Sequence, residues 1–157
     1  MLVYGGPFSG SGARPTPQDI PLGPLVFRFA RELGRKENAG YFKPRNPSKP
    51  WRFFKTVATV LAGQPATVSV APRHRDAFLL LYDPSKFTGR NAYVRADGNP
   101  VVRFGRCEDN SPRGHAEFTG GFLARRPGCF EVGAHLPRRT QPIRRTVNIG
   151  MGFRACT

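Results

Sequence analysis

Acidic residues, cysteines and uninterrupted apolar stretches are all scarce in this sequence. Ten Asp and Glu stand against 25 Lys and Arg, a net charge of +15. That imbalance makes a strong positive field and invites acidic partners such as nucleic acid, anionic lipid or cell-wall polyanions. The cations are nearly all Arg and are scattered, not gathered in one tail. Composition alone, of the kind a GC-rich genome encodes, therefore accounts for the excess. No run approaches the ~18 apolar residues of a membrane span. The start, Met1 to Pro7, has neither the basic nor the apolar region of a signal peptide.

Several chemistries lack their signatures. There is no Cys-x-x-Cys pair for structural zinc, no Gly-x-Ser-x-Gly elbow and no His-Glu-x-x-His helix. Gly5, Gly6, Gly10 and Gly12 have no preceding strand and no following Lys-Ser/Thr, so they do not form a phosphate loop. Asn46-Pro47-Ser48 is spoiled as a glycosylation acceptor by its proline. The expectation is a protein that is not an enzyme and needs no metal or cofactor.

What is abundant is turn chemistry and aromatic bulk: 18 Gly, 16 Pro and 13 Phe, with Trp51 the one tryptophan. A chain of 157 residues fits one domain and buries roughly 70% of its unfolded surface. Residues 1–22, rich in Gly, Ser and Pro, are expected to form a flexible lead-in, and residues 23–157 a single domain. Leu25, Phe27 and Phe29 alternate as a strand that runs into a turn stopped by Gly34, before a basic, Pro-punctuated loop over 35–50. Residues 51–61 and 66–71 are dense in β-branched and aromatic residues around the turn Ala62-Gly63-Gln64-Pro65, which predicts a hairpin. Residues 76–82 read as a buried strand. Further strands follow near 101–107, 117–124, 129–136 and 145–153. Many short strands at regular spacing predict an all-β, antiparallel two-sheet sandwich, immunoglobulin-like in layout.

Cys107 and Cys129 fall at the end of one predicted strand and the start of another. Their bridge would close a loop of roughly twenty residues, worth about 3 kcal/mol on the chain-entropy model. Cys156 is the alternative partner, and one thiol is left over in either pairing. A disulfide points to an exported, extracellular or cell-surface protein, with the cytoplasm as the alternative if the thiols stay reduced. His74, His115 and His135 are spread along the chain. His115 and Glu117 would share a strand face, half of a metal or acid–base site at most. Two basic aromatic stretches fit a polyanion: Arg45 with Trp51 and Arg52, and Arg138, Arg139, Arg144 and Arg145. A dedicated site would gather these cations beside an exposed Trp51 or Tyr41; a by-product of composition would spread Arg over all faces and bury Trp51.

Phe54-Lys55-Thr56, Leu80-Leu81-Tyr82-Asp83-Pro84, Val102-Arg103-Phe104 with Cys107, Phe118-Thr119-Gly120-Gly121-Phe122 and Arg126-Pro127-Gly128-Cys129 follow one another in that order. The sequence over about 54–156 resembles a family of actinobacterial secreted or membrane-anchored β-sandwich domains without an assigned activity. The Gly-Gly-Phe plus Cys pattern is the most specific part. The resemblance implies location and fold, not chemistry. The expected function is a non-enzymatic surface or secreted domain that binds an acidic polymer or another surface protein. A basic nucleic-acid-binding β-barrel is the alternative.

Overall fold

The computed structural model describes residues 2–3, 6–7, 14–43, 47–60, 65–105 and 116–156. Strands dominate, interrupted by short 3-10 helices. The strands are β1 (Leu2–Val3), β2 (Gly6–Pro7), β3 (Ile20–Leu22), β4 (Leu25–Phe27), β5 (Arg52–Lys55), β6 (Ala58–Val60), β7 (Ala66–Val70), β8 (Phe78–Leu81), β9 (Val101–Phe104), β10 (Ala116–Phe118), β11 (Gly121–Ala124), β12 (Gly128–His135) and β13 (Ile143–Ile149). They form three hydrogen-bonded sheets, ordered β1-β9-β7-β12-β13, β2-β10-β6-β4-β3 and β5-β11-β8. Pairing is antiparallel throughout, apart from β1 beside β9.

The second and third sheets share two long bent strands. Ala116 pairs with Val60 and Gly121 with Lys55, which is a single register. Between them Thr56 N donates to Gly120 O at 2.9 Å, so one register spans the bend between the two sheets. Buried Tyr82 fixes the bend by donating its hydroxyl to Thr56 O at 2.7 Å, and Thr56 Oγ1 donates to Arg28 O at 2.8 Å. The N–H, C=O and hydroxyl of Thr56 thus all find partners, as a buried backbone requires. The bend needs Gly120 and Gly121. A Cβ on Gly120 would lie 2.5 Å from Leu81 O, and one on Gly121 would run into Phe54 O. The Gly-Gly-Phe motif is a steric requirement of the fold.

Alternation decides burial. Phe54, Phe78, Leu80, Tyr82, Phe122 and Ala124 join the main core, together with Val68, Val102, Phe104, Phe130, Val132, Val147 and Ile149 from the first sheet. The opposite faces of β8 and β11 carry Leu79, Leu81 and Leu123 into a second cluster with Trp51, just before β5, and Phe53 on it, closed by Tyr93 and Phe87 from the segment after β8. A strand covered on both sides reads as an unbroken apolar run, hence Phe78-Leu79-Leu80-Leu81. The stacking of Phe78 on Phe130, with centroids 4.7 Å apart, joins the sheets across the core.

Four expectations change. The lead-in boundary falls inside the core: β3 pairs with β4, Ile20 and Leu22 are buried, and the backbone of β1 and β2 pairs with β9 and β10. Residues 8–13 lie outside the described residues. Residues 35–50 are not a plain loop, because Lys36–Phe42 forms a 3-10 helix. The hairpin over 51–71 is not formed: β6 pairs with β4 and β10, whereas β7 pairs with β9 and β12 in another sheet. Residues 61–64, its turn, lie outside the described residues. Finally, Cys129 is bonded to Cys156, not to Cys107, with Cα atoms 5.5 Å apart. Register explains the choice. β9 leaves the sheet at Phe104, beside Ala66, while Cys129 lies at the far end of β12, beyond the Val132–Val70 pair. Opposite Cys129 stands Asn148, near the exit of β13. Gly150 and Gly152, with φ of 69° and 91°, then turn the chain and bring Cys156 to Cys129. Cys107 lies outside the described residues.

Candidate functional site

β12 and β13 present one face to solvent. Along it Glu131, Gly133 and His135 pair with Thr146 and Arg144 on β13, and with Ser69 and Thr67 on β7. At its disulfide-bonded end a cleft of about 480 Å³ is lined by Arg31, Arg144, Arg145, Asn148, Phe153 and Cys156, among others. Two exposed cations converge on Glu131: Arg73 at 3.3 Å and Arg144 at 4.0 Å. Asn148 holds the returning tail, donating to Gly152 O at 2.7 Å and accepting from Met151 N at 3.1 Å. Exposed pairs of this kind contribute little stability. Their effect is to leave a basic, hydrogen-bonding surface with Phe153 exposed at its edge.

The predicted polyanion residues divide. Arg144 and Arg145 line the cleft, and Arg138 and Arg139 are exposed on the connection from β12 to β13. Trp51 is only 3% exposed and pairs with Tyr93 through a β-bridge, so it cannot serve as a stacking platform. Arg52 is 5% exposed. Its guanidinium donates to Tyr41 O and Lys49 O, each at 2.9 Å, and holds the 3-10 segment against β5. A buried cation engaged by backbone carbonyls is not available to a polymer. Arg45 lies outside the described residues. Exposed Arg also stands elsewhere, at positions 14, 35, 90, 95, 103, 125, 126 and 154, the dispersion that composition alone produces.

His74 and His135 have partners. His74 Nδ1 accepts from Glu131 N at 2.8 Å and its ring packs edge-on against Phe130. Burial first, and the Arg73 charge second, hold its pKa below the usual 6.5. Stability from a depressed group is present above the unfolded pKa and is lost as pH falls. The urea midpoint should therefore drop between about pH 7 and pH 5. His74→Asn should flatten that slope, and an unchanged slope in the variant would remove His74 as its cause. His135 Nε2 lies 3.0 Å from Ser69 Oγ, a pairing the sequence could not reveal because it depends on the β7–β12 register. No described residue orients the other ring nitrogen, as serine nucleophile chemistry requires. His115 lies outside the described residues. Cys129, being bonded, supplies no thiolate. Among the described residues no group of three or more His, Cys, Asp or Glu is placed to hold a metal. No helix among them is long and apolar enough to cross a membrane.

Sequence reasoning missed Asp19 and Arg28. Ile20 pairs with Phe27 across a two-residue turn, Gly23-Pro24, with Gly23 at φ 67°. A positive φ at the first central position suits a primed hairpin turn. The next pair outward is Asp19 and Arg28, joined at 2.9 Å with Asp19 1% exposed. The Leu-Gly-Pro-Leu turn between apolar flanks was the available signal. Comparison with known proteins finds no matching family model and no matching curated protein.

Proposed function

We propose that the chain is a non-enzymatic binding domain of an oxidising compartment, secreted or held at a cell surface. In this reading it is a β-sandwich: the sheet of β7, β9, β12 and β13 forms one layer, and the bent β5/β6 and β10/β11 pair with its neighbours forms the other. The observation that carries the reading is the Cys129–Cys156 bond. Disulfides persist where thiols are not continually reduced, which favours export. The motif resemblance to actinobacterial surface domains agrees with that location. The surface offered to a partner is the exposed tip and edge of the β12–β13 hairpin, where Arg138 and Arg139 lie on the connection, Arg144 on the outer face and Arg145, opposite Val132, on the other side. Its partner class is an acidic polymer or the acidic face of another surface protein. The test is fractionation of the native host. The expected result is protein in the medium, or removed from intact cells by added protease. Recovery only from the cytosol would overturn the proposal.

The burial of Trp51 and Arg52 weighs against the nucleic-acid alternative, because single-strand binders need exposed aromatic platforms beside free cations. DNA should bind at low salt through net charge alone and release by about 150 mM, where screening acts within roughly 8 Å. Binding that survives this salt and falls on replacing the four hairpin arginines by serine would favour the nucleic-acid reading.

A further inference from the structure

Resting on the acidic-partner reading above, we infer that the outer edge of β13 takes up an extended acidic segment of a partner protein as an added strand. β13 ends its sheet, and among the described residues no strand pairs with its outer side. Ladder parity tells which backbone groups point there. Ala71 N donates to Glu131 O at 3.0 Å, so Glu131, Gly133 and His135 turn their backbone groups toward β7. Phe130, Val132 and Ala134 turn theirs toward β13 and bond Val147, Arg145 and Ile143. The N–H and C=O groups of Arg144, Thr146 and Asn148 therefore point outward. Gly150 keeps the same parity, and Leu33 O already accepts from its N–H at 2.9 Å.

The cleft of about 480 Å³ wraps this edge. Successive side chains of a strand point to opposite faces. Arg144, Thr146 and Asn148 line the cleft from the outer face of β13, and Arg145 lines it from the other. Ile20 of β3 and Arg31, on the 3-10 helix Ala30–Gly34, face it across the edge. Strand addition uses an open edge with a groove beside it: main-chain hydrogen bonds supply affinity, and alternate side chains supply specificity. Arg144 to Asn148 spans about 13 Å, the length of a strand of about five residues. Past it, Leu33 O and Gly34 O close the edge by accepting from Gly150 N and Gly152 N.

Charge selects the occupant. Arg31, Arg144 and Arg145 are all exposed around the groove. Arg145 Nη1 donates to Arg144 O at 2.8 Å, which holds its guanidinium at the edge. The one carboxylate among the described lining residues, Glu131, is already approached by Arg73 at 3.3 Å and Arg144 at 4.0 Å. A second copy of β13 would bring Arg144 and Arg145 against their own equivalents, and like charges set opposite one another destabilise a strand pair. Cations on an edge keep copies of a chain apart in this way. An acidic strand reverses the sign. Carboxylates on one of its faces meet Arg31 and Arg145, and on the other Arg144. Phe153, 63% exposed, adds apolar surface for one further side chain.

The probes are the capped heptapeptide Thr-Glu-Val-Glu-Val-Glu-Thr, its counterpart with Gln for each Glu, and polyglutamate, which is a coil at neutral pH. Amide NMR of the folded chain should show saturable binding of the acidic peptide below about 1 mM, in salt of about 150 mM. At saturation, hydrogen exchange of the Thr146 amide should slow at least about tenfold. That of Val147, already paired with Phe130, should not change. The Gln peptide should bind at least about tenfold more weakly. Thr146→Pro removes one outward N–H, a change that an edge strand tolerates. It should leave the chain folded and weaken the acidic peptide at least about tenfold, a loss that a patch acting by charge alone would not show. If that variant does not fold, the exchange of Thr146 decides. Equal affinity for the two peptides, unprotected Thr146, full affinity in folded Thr146→Pro, or a dimer of the chain through this edge each overturns the inference. Polyglutamate bound without the peptide overturns the added strand and leaves the acidic-partner reading standing; binding of neither removes both.

Discussion

Cys156→Ser should lower the stability of the domain by about 3.5 kcal/mol, the chain-entropy value for a loop of this size. Cys129 and Cys156 are 27 residues apart in sequence, and their bond ties the end of β12 to the returning C-terminal segment. For a domain of this length the loss corresponds to a fall of about 10 °C in melting temperature. Cys129→Ser should have the same effect, and the double variant should add nothing, because either substitution removes the whole constraint. Thermal unfolding without reductant checks all three, and reduction of the unaltered protein should reproduce the shift. Variants that melt within a degree or two of the parent would mean that the bond does not constrain the chain.

Gly121→Ala should cost about 3 kcal/mol or more, at the upper end of overpacking penalties. The added methyl would overlap Phe54 O and lie 2.9 Å from both Lys55 Cα and the Phe53 ring. Two of these obstacles are backbone of the paired strand. Relief therefore means moving β5, and with it the register that runs from Arg52 to Val60. Gly40→Ala is the control. A Cβ there has nothing within 4 Å and its φ is not positive, so the change should stay within about 0.5 kcal/mol. Urea midpoints of the two variants give the comparison. Equal tolerance would show that β5 can move away from Gly121 without cost.

These two cases mark what the sequence could and could not convey. Alternation told which residues face inward. The strand at Leu25–Phe27, followed by a turn that Gly34 stops, and the two strands ending the chain follow from it, while the unbroken apolar run marked Phe78–Leu81 as a buried strand. Alternation says nothing about which strand is the neighbour. The stretches 51–60 and 66–70 were legible as strands, yet they separate into different sheets because β12, β9, β10 and β4 provide their partners. The cysteine partner was hidden for the same reason: it depends on which end of the sheet each strand leaves by. Arg52 looked like a binding cation. The backbone carbonyls of Tyr41 and Lys49 take it up, and nothing in its sequence context reveals that. The Gly-Gly pair was visible as a motif, while its cause, two backbone oxygens within reach of any Cβ, is a tertiary fact. The Asp19–Arg28 pair was within reach. Extending the Gly23-Pro24 hairpin by one residue on each side places the two opposite one another.

A domain that works oxidised carries the Cys129–Cys156 bond in its native host. Protein isolated from its native host into a thiol-alkylating reagent, then digested without reductant and weighed, should yield a peptide pair joined through Cys129 and Cys156. Both cysteines recovered fully alkylated, in protein that is nonetheless folded, would contradict it.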